Sequence, residues 1–186
     1  MDTLLPQAYL IGLVVLLGGA AVVVGRQIWR VRRDELALAR LDRQGEEAPD
    51  SASSLYELAS VQLRKRLYGQ AADNLKRALK RAEADREPAE AQALIQNALG
   101  FALAAQNNYK TAIRHYRSAL AAKPDYPVAL NNLAFALEKQ RNLEEAEQTY
   151  RQVLELDASN KTARKRLQRL ERSFSITAAG TDAKAS

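Results

Sequence analysis

The chain has 186 residues, which is enough for roughly one domain and an appendage. It contains no cysteine, so disulfide frameworks, thiolate metal sites and cysteine nucleophiles are excluded, and a single histidine, His115, leaves little room for metal or proton-transfer chemistry. The net charge of +6 is compatible with nucleic acid or an anionic membrane surface, so the positions of the basic residues decide its meaning.

The N-terminal segment is apolar and long enough to cross a bilayer. Residues 3–25 carry no charged side chain, against the ~20 residues that a membrane-spanning helix needs. Four arginines follow between residues 26 and 33, whereas no basic residue precedes the segment. A cleaved signal peptide is the alternative, but it would carry basic residues before the apolar run and a small-residue cleavage site after it. The sequence therefore predicts a single-pass anchor over residues 4–29, with the N-terminus outside and the remainder on the cytoplasmic side.

Residues 30–53 predict a juxtamembrane helix followed by a linker. The helix formers of RQIWRVRRDELALARLDRQ extend the pattern beyond the membrane, and GEEAPDSAS then interrupts it with glycine, proline and small polar residues. Ser54 followed by Glu57 has the spacing of a capping box, so we expect a new helix, and the folded domain, to start there.

Two stretches, residues 97–125 and 131–159, repeat the same order of small and large apolar residues at an offset of 34. Their periodicity is helical, and no convincing alternating strand occurs. The 34-residue period resembles the tetratricopeptide repeat, in which each unit is a pair of antiparallel helices. The expected fold class is therefore all-α: an N-terminal transmembrane helix followed by a tetratricopeptide solenoid of about three helix hairpins and a capping helix.

The expected repeats cover about residues 52–92, 93–126 and 127–160 of a domain over 54–172. A cap helix is expected at 160–172 and a disordered tail at 173–186. The first repeat precedes the second by 41 residues instead of 34, and we interpret the excess as an overlong second helix ending near Pro88.

The repeat pattern assigns two sets of residues. Small residues are expected to let paired helices approach, and tyrosines to fill the space between hairpins; the packing set is Leu99, Gly100, Ala112, Tyr116, Ala134, Ala146 and Tyr150. In proteins that resemble this repeat, the first helix of each pair lines a concave groove. At its positions two, five, nine, twelve and thirteen, the chain carries Leu94 and Val128 together with the candidate partner-binding residues Asn97, Phe101, Asn131, Phe135, Glu138 and Lys139. The alternative is that the phenylalanines pack between helices and that asparagine merely suits the hairpin surface.

One tetratricopeptide subclass is not expected. Domains that grip the terminal carboxylate of a chaperone need lysine and asparagine at positions five and nine of the first repeat. This chain has Tyr56 and Ser60 there.

The order of segments carries a narrower resemblance. An apolar segment beginning LPQAYLIGL, then RQIWRVRRDELALARL, LYGQAADNLKRAL, NALGFALAAQNNYKTAIRHYRSAL, PDYPVALNNLAFALEKQ and a basic closing helix resemble the membrane-anchored tetratricopeptide proteins of cyanobacteria and plastids that assist photosystem I assembly. The resemblance covers about residues 4–172. It implies a non-enzymatic assembly factor in the thylakoid membrane, with its N-terminus in the lumen and its repeats on the cytoplasmic or stromal side. Its implied partners are photosystem I subunits or assembly intermediates. A general bacterial inner-membrane scaffold for secretion or envelope biogenesis would show the same elements.

Enzymatic and nucleic-acid functions lack their usual signals. No glycine-rich phosphate loop, nucleophile with its base, or recognisable carboxylate pair occurs, so no catalytic residue, cofactor or metal is expected. Basic residues concentrate at 26–43 and 161–172, without the interleaved aromatic residues that stack on bases. We therefore expect a membrane and a protein as partners, and no nucleic acid.

Overall fold

The computed structural model of the chain describes residues 12–29, residue 32 and residues 51–182, and it describes side chains as far as residue 173. The chain divides into two units, Met1–Ala48 and Pro49–Ser186. The predictions for the start of the anchor, for most of the juxtamembrane helix and linker, and for the last four residues lie outside the described residues.

The described part of the first unit contains one helix, α1, over Gly12–Trp29. It is long and apolar enough to cross a membrane, and none of its residues is buried inside the protein, unlike the core helix of a soluble domain. A signal sequence near the N-terminus passes the same test of length and hydropathy, so the anchor and its orientation stay predictions.

The second unit is a stack of helices, each packed on the next in chain order. In its described residues it contains helices and turns only. The helices are α2 Ala52–Arg64, α3 Tyr68–Ala84, α4 Ala89–Ala105, α5 Tyr109–Ala122, α6 Pro127–Lys139, α7 Leu143–Leu156 and α8 Lys161–Asp182. The pairs α2/α3, α4/α5 and α6/α7 are the three hairpins, and α8 closes the stack. The expected all-α tetratricopeptide solenoid is confirmed.

Helix α2 begins earlier than the sequence predicted. Ser51 is its N-cap and accepts a hydrogen bond from the Ser54 backbone N–H at 3.2 Å. The prediction that Ser54 and Glu57 form the capping box was wrong, because Ser51, three residues earlier, takes the N-cap position. The hydroxyl of Ser54 instead donates a hydrogen bond to the Ser51 carbonyl at 3.0 Å.

The three hairpins turn through the same backbone motif. Arg66, Asn107 and Arg141 have φ of 62°, 63° and 62°, each as the middle residue of a three-residue connection. In each turn, the next residue's N–H reaches back to a carbonyl five residues earlier, as Asn142 does to Leu137 at 3.0 Å. This is the Schellman motif, which ends a helix and satisfies its last carbonyls.

The extra length of the first repeat is divided between two helices. Helix α3 has 17 residues where α5 and α7 have 14, and α4 has 17 where α2 and α6 have 13. The predicted single overlong helix ending near Pro88 was wrong, because α3 ends at Ala84 and Pro88 caps the start of α4. Proline lacks an N–H and disfavours helix in the residue before it, so it suits a helix start.

Helix α8 continues to Asp182, ten residues past the predicted end of the cap helix. The prediction of a disordered tail from residue 173 was therefore wrong for 173–182. Those residues contain no proline, they include the two alanines Ala178 and Ala179, and their one glycine, Gly180, lies near the end of the helix.

Candidate protein-interaction face

The first helices of the hairpins form one side of the stack. Helix α4, the first helix of the second hairpin, contacts α2 and α6, the first helices of the neighbouring hairpins. The second helices α3, α5 and α7 do not contact each other to the same extent. The first helices therefore contact one another from hairpin to hairpin and form a continuous side of the stack. We call the surface of α2, α4, α6 and α8 on this side the inner face.

Helix pairing depends on a small residue facing a tyrosine. A Cβ built on Gly100 would lie 2.6 Å from Cε1 of Tyr116, whose side chain is only 1% exposed. Ala134 and Tyr150 hold the equivalent positions 34 residues later, both without exposed surface. All members of the packing set, Leu99, Gly100, Ala112, Tyr116, Ala134, Ala146 and Tyr150, are buried.

Both tyrosines are held as neutral phenols. Burial raises the pKa of Tyr116 and of Tyr150, because the charged form would lose its hydration. The Tyr150 hydroxyl donates to Oε2 of Glu138 at 3.2 Å, so its polar end has a partner inside the stack.

Asn97 ties the second repeat to the third. Its side chain is 9% exposed; Nδ2 donates to the Tyr126 hydroxyl at 3.3 Å, and Oδ1 accepts from Nδ2 of Asn132 at 3.0 Å. The amide that the sequence suggested for binding a peptide backbone therefore holds two repeats together.

Asn131 makes only half of the equivalent tie. Its Nδ2 donates to Oδ1 of Asn160 at 3.2 Å, and Asn160 lies 34 residues after Tyr126. Its Oδ1 is buried and has no hydrogen-bond partner. The residue 34 positions after Asn132 is Arg166, and that side chain is directed elsewhere.

Arg166 of α8 covers the third-repeat part of the predicted groove. Its guanidinium lies 4.5 Å above the ring of Phe135 and donates to Oε2 of Glu138 at 2.9 Å. Tyr109 contacts the same ring edge to face at 6.3 Å. Phe135 and Glu138 are thus engaged within the protein, whereas Lys139 is exposed with its Nζ 5.5 Å from the Phe135 ring centroid.

The inner face nevertheless keeps large apolar side chains in solvent. Leu94, Phe101 and Val128 are 42%, 43% and 56% exposed. Phe101 has one aromatic neighbour, Tyr68, with ring centroids 6.4 Å apart. In the second unit only Leu67 and Leu156 are comparably exposed among large apolar residues whose side chains the structure describes. Groups of exposed apolar residues on a folded domain are typical of interaction sites.

An apolar depression lies beside Leu94. It has a volume of about 140 Å³ and is lined by Ala52, Ser53, Tyr56, Glu87, Ala91, Leu94 and Ile95. Most of these residues are apolar, and α2 and α4 contribute all but one. The depression is large enough for a single apolar side chain of a partner, and position two of the repeat was its signal in the sequence.

The titratable residues of the described part of the chain form no metal site. No group of three or more histidine, cysteine, aspartate or glutamate residues is placed to hold a metal ion in the parts of the chain that the structure describes. Nδ1 of His115 lies 2.7 Å from Oε1 of Gln96. Desolvation, with nearby Arg114 and Lys76, lowers the pKa of His115, so the ring is neutral at pH 7.

Comparison with known proteins agrees with this architecture. Two tetratricopeptide-repeat family models match residues 56–125 and 103–170. The first tetratricopeptide domain of Spaghetti (RPAP3), solved with an HSP90 peptide, superimposes with a TM-score of 0.61 over 67% of this chain and 93% of that chain. Its sequence identity is 21%, so this likeness shows the fold alone.

Two relatives extend the likeness beyond the repeats. The uncharacterized protein ycf37 of Guillardia theta is 35% identical over 170 residues, which cover 91% of this chain and 94% of the relative. The chloroplastic tetratricopeptide protein PYG7 of Arabidopsis thaliana is 32% identical over 164 residues, and the chain spans about half of its length, 54%. The family resemblance seen in the sequence is thereby confirmed: the chain belongs to the family of tetratricopeptide-repeat proteins that contains ycf37 and PYG7.

Proposed function

We propose that this protein is a non-enzymatic, membrane-anchored scaffold that assists the assembly or stabilisation of photosystem I. The family supports this role, since the sequence resembles the tetratricopeptide assembly factors of cyanobacteria and plastids. One relative, PYG7, is named as a chloroplastic protein. In this role α1 anchors the protein in the thylakoid membrane, with the repeats on the cytoplasmic or stromal side and the N-terminus in the lumen.

One observation carries the scaffold role: Leu94, Phe101 and Val128 remain exposed along the inner face of an otherwise well-packed solenoid. The repeats hold themselves together through residues such as Gly100, Tyr116 and Asn97, so these three side chains are available to a partner. A membrane anchor strengthens binding through weak contacts, because confining scaffold and client to one membrane raises their effective concentration.

The groove that we propose differs from the set suggested by the sequence. Phe101 and Lys139 are exposed and stay in it, joined by Leu94 and Val128. Asn97, Asn131, Phe135 and Glu138 border it and fix its shape through the ties to neighbouring helices.

Deletion of the gene in a photosynthetic host tests the proposal. The ratio of photosystem I to photosystem II should fall, most clearly under stress, and the wild-type gene should restore it. An unchanged ratio would contradict the photosystem role and favour a general scaffold in secretion or envelope biogenesis. Protease added to the stromal face of isolated membranes should digest residues 51–172, and protection of this segment would contradict the proposed orientation.

A further inference from the structure

We infer that the inner face selects a partner segment that combines a large apolar side chain with acidic residues. The apolar side chain of the partner binds to α4, and its carboxylates bind to α8. The inference rests on the proposed scaffold function and specifies the chemistry of its client.

The repeat register places α8 on the inner face. Residues 34 positions apart are equivalent from α6 to α8, and burial agrees: Ala129 corresponds to Ala163, both without exposed surface, and Leu133 to Leu167, at 6% and 9%. The Asn131–Asn160 hydrogen bond follows the same register. Helix α8 therefore occupies the place of a fourth first helix.

In this register, α8 carries basic residues at the groove positions. Lys165 corresponds to Asn131, Arg169 to Phe135 and Arg172 to Glu138. All three are exposed and line an open depression of about 530 Å³ with Gln168 and Ser173. We call Lys165, Arg169 and Arg172 the basic stripe.

Nearby carboxylates are already engaged by other cations. Glu138 pairs with Arg166 at 2.9 Å, and Glu171 pairs with Arg151 at 2.8 Å. Within the described residues, neither Lys165 nor Arg169 has a carboxylate partner. Lys139 adds a further exposed cation on α6, the neighbouring inner-face helix. Two unneutralised cations on one helix face favour an anionic ligand and disfavour a basic one.

The apolar and basic parts of the inner face can be reached by one peptide. Packed helices lie about 8–10 Å apart, so α4 and α8, separated by α6, are about 20 Å apart. An extended chain advances about 3.3 Å per residue, so about six residues join the two parts.

A peptide array tests this inference. The probes are synthetic 12-residue peptides in a Gly/Ser background, each with one Leu or Phe and, six residues along in either direction, two Glu, two Gln or two Lys. The full-length chain, held in phosphatidylcholine nanodiscs, should bind the Glu set at least tenfold more tightly than the Gln set and should not bind the Lys set. Raising salt should weaken the Glu set most.

Two matched charge reversals locate the site. Lys165→Glu with Arg169→Glu should weaken binding of the Glu set at least tenfold. The control is Lys110→Glu with Arg114→Glu on α5, which makes the same change of charge at the same i, i+4 spacing. Both residues are exposed and lie outside the inner face, so binding should be unchanged.

The failures are distinguishable. Equal binding of the Glu and Gln sets, no binding of any set, or equal loss in both double variants overturns the inference. It is also overturned if Lys165→Glu with Arg169→Glu abolishes only binding to phosphatidylglycerol vesicles, because the stripe would then recognise lipid. If client capture is lost on replacing Leu94 and Phe101 but not on replacing Lys165 and Arg169, only this inference is overturned. If capture survives replacement of all four residues, the proposed binding face is overturned as well.

Discussion

The ring of Tyr116 fills the space that a side chain on Gly100 would need: a Cβ there would lie 2.6 Å from Cε1 and 2.8 Å from Cδ1. The ring is buried and cannot move into solvent, so α4 and α5 are held at a spacing that glycine sets. In the next hairpin the same place is taken by Ala134 beside Tyr150, where the helices leave room for a methyl group.

Replacing Gly100 with alanine should therefore destabilise the repeats despite alanine's better helix propensity. We expect the free energy of unfolding to fall by about 1–3 kcal/mol, as for other overpacked cores. Urea unfolding of the detergent-solubilised chain, followed by circular dichroism, measures this. Gly69→Ala is the control, because nothing lies within 4 Å of a Cβ there. It should cause no loss, and equal destabilisation by both substitutions would contradict the account.

Glycine at the middle position of a hairpin turn should stabilise the fold. Arg141 has φ of 62°, a region that costs a residue with a Cβ about 1–2 kcal/mol, while glycine loses about 0.5–1 kcal/mol through its freer unfolded chain. Arg141→Gly should raise the free energy of unfolding by about 0.5 kcal/mol on balance of these terms. Gln140→Gly, one residue earlier at φ −85°, should lower it. A loss in both variants would show that the turn is not strained.

The Asn97 amide should matter more for stability than that of Asn131. Asn97→Ala leaves the Tyr126 hydroxyl and the Asn132 amide without their partner, and unsatisfied partly buried groups cost about 1–3 kcal/mol. Asn131→Ala removes one hydrogen bond and also the buried oxygen that has no partner, so its loss should be smaller. Thermal unfolding of the two variants compares them directly, and a larger loss at Asn131 would contradict this explanation.

The pair between Arg166 and Glu138 should couple α8 to the third repeat. Their side chains are 29% and 18% exposed, so solvent screens them little. A double-mutant cycle with alanine should give a coupling energy of about 1 kcal/mol or more. The exposed pair Lys76–Asp73, at 59% and 75%, is the control and should give about 0.5 kcal/mol or less. Similar values for the two pairs would mean that α8 is not fastened by this contact.

The sequence predicted the hairpins well because period and side-chain size are local signals. Gly100 with Tyr116 and Ala134 with Tyr150 repeat at one fixed offset, and only close helix pairing explains such a pattern. Boundaries were predicted less well. Two serines compete to cap α2, and the extra seven residues of the first repeat could lengthen one helix or two without changing the period.

The candidate site was predicted by position but not by role. Register placed Asn97, Phe101 and Phe135 on the inner face, yet it could not tell that Asn97 bonds to Tyr126 and Asn132, because a side chain's partner depends on rotamers across repeats. Arg166 was missed as a groove residue for a related reason. A basic cap helix appears solvent-exposed in the sequence, and only the stacked structure shows one arginine turned onto Phe135.

Capture of photosystem I components by the inner face tests the central claim most directly. The full-length protein, purified from mildly solubilised thylakoid membranes, is compared with a variant carrying Leu94→Ser, Phe101→Ser and Val128→Ser. Leu67→Ser with Leu156→Ser is the control, since these residues are 38% and 46% exposed outside the inner-face positions. Wild type and control should retain photosystem I subunits, and the triple variant should lose them at least tenfold with its helix content intact, because apolar anchors at an interface core each contribute about 2 kcal/mol. Undiminished capture by the triple variant, or the absence of photosystem I subunits from the wild-type sample, would contradict the account.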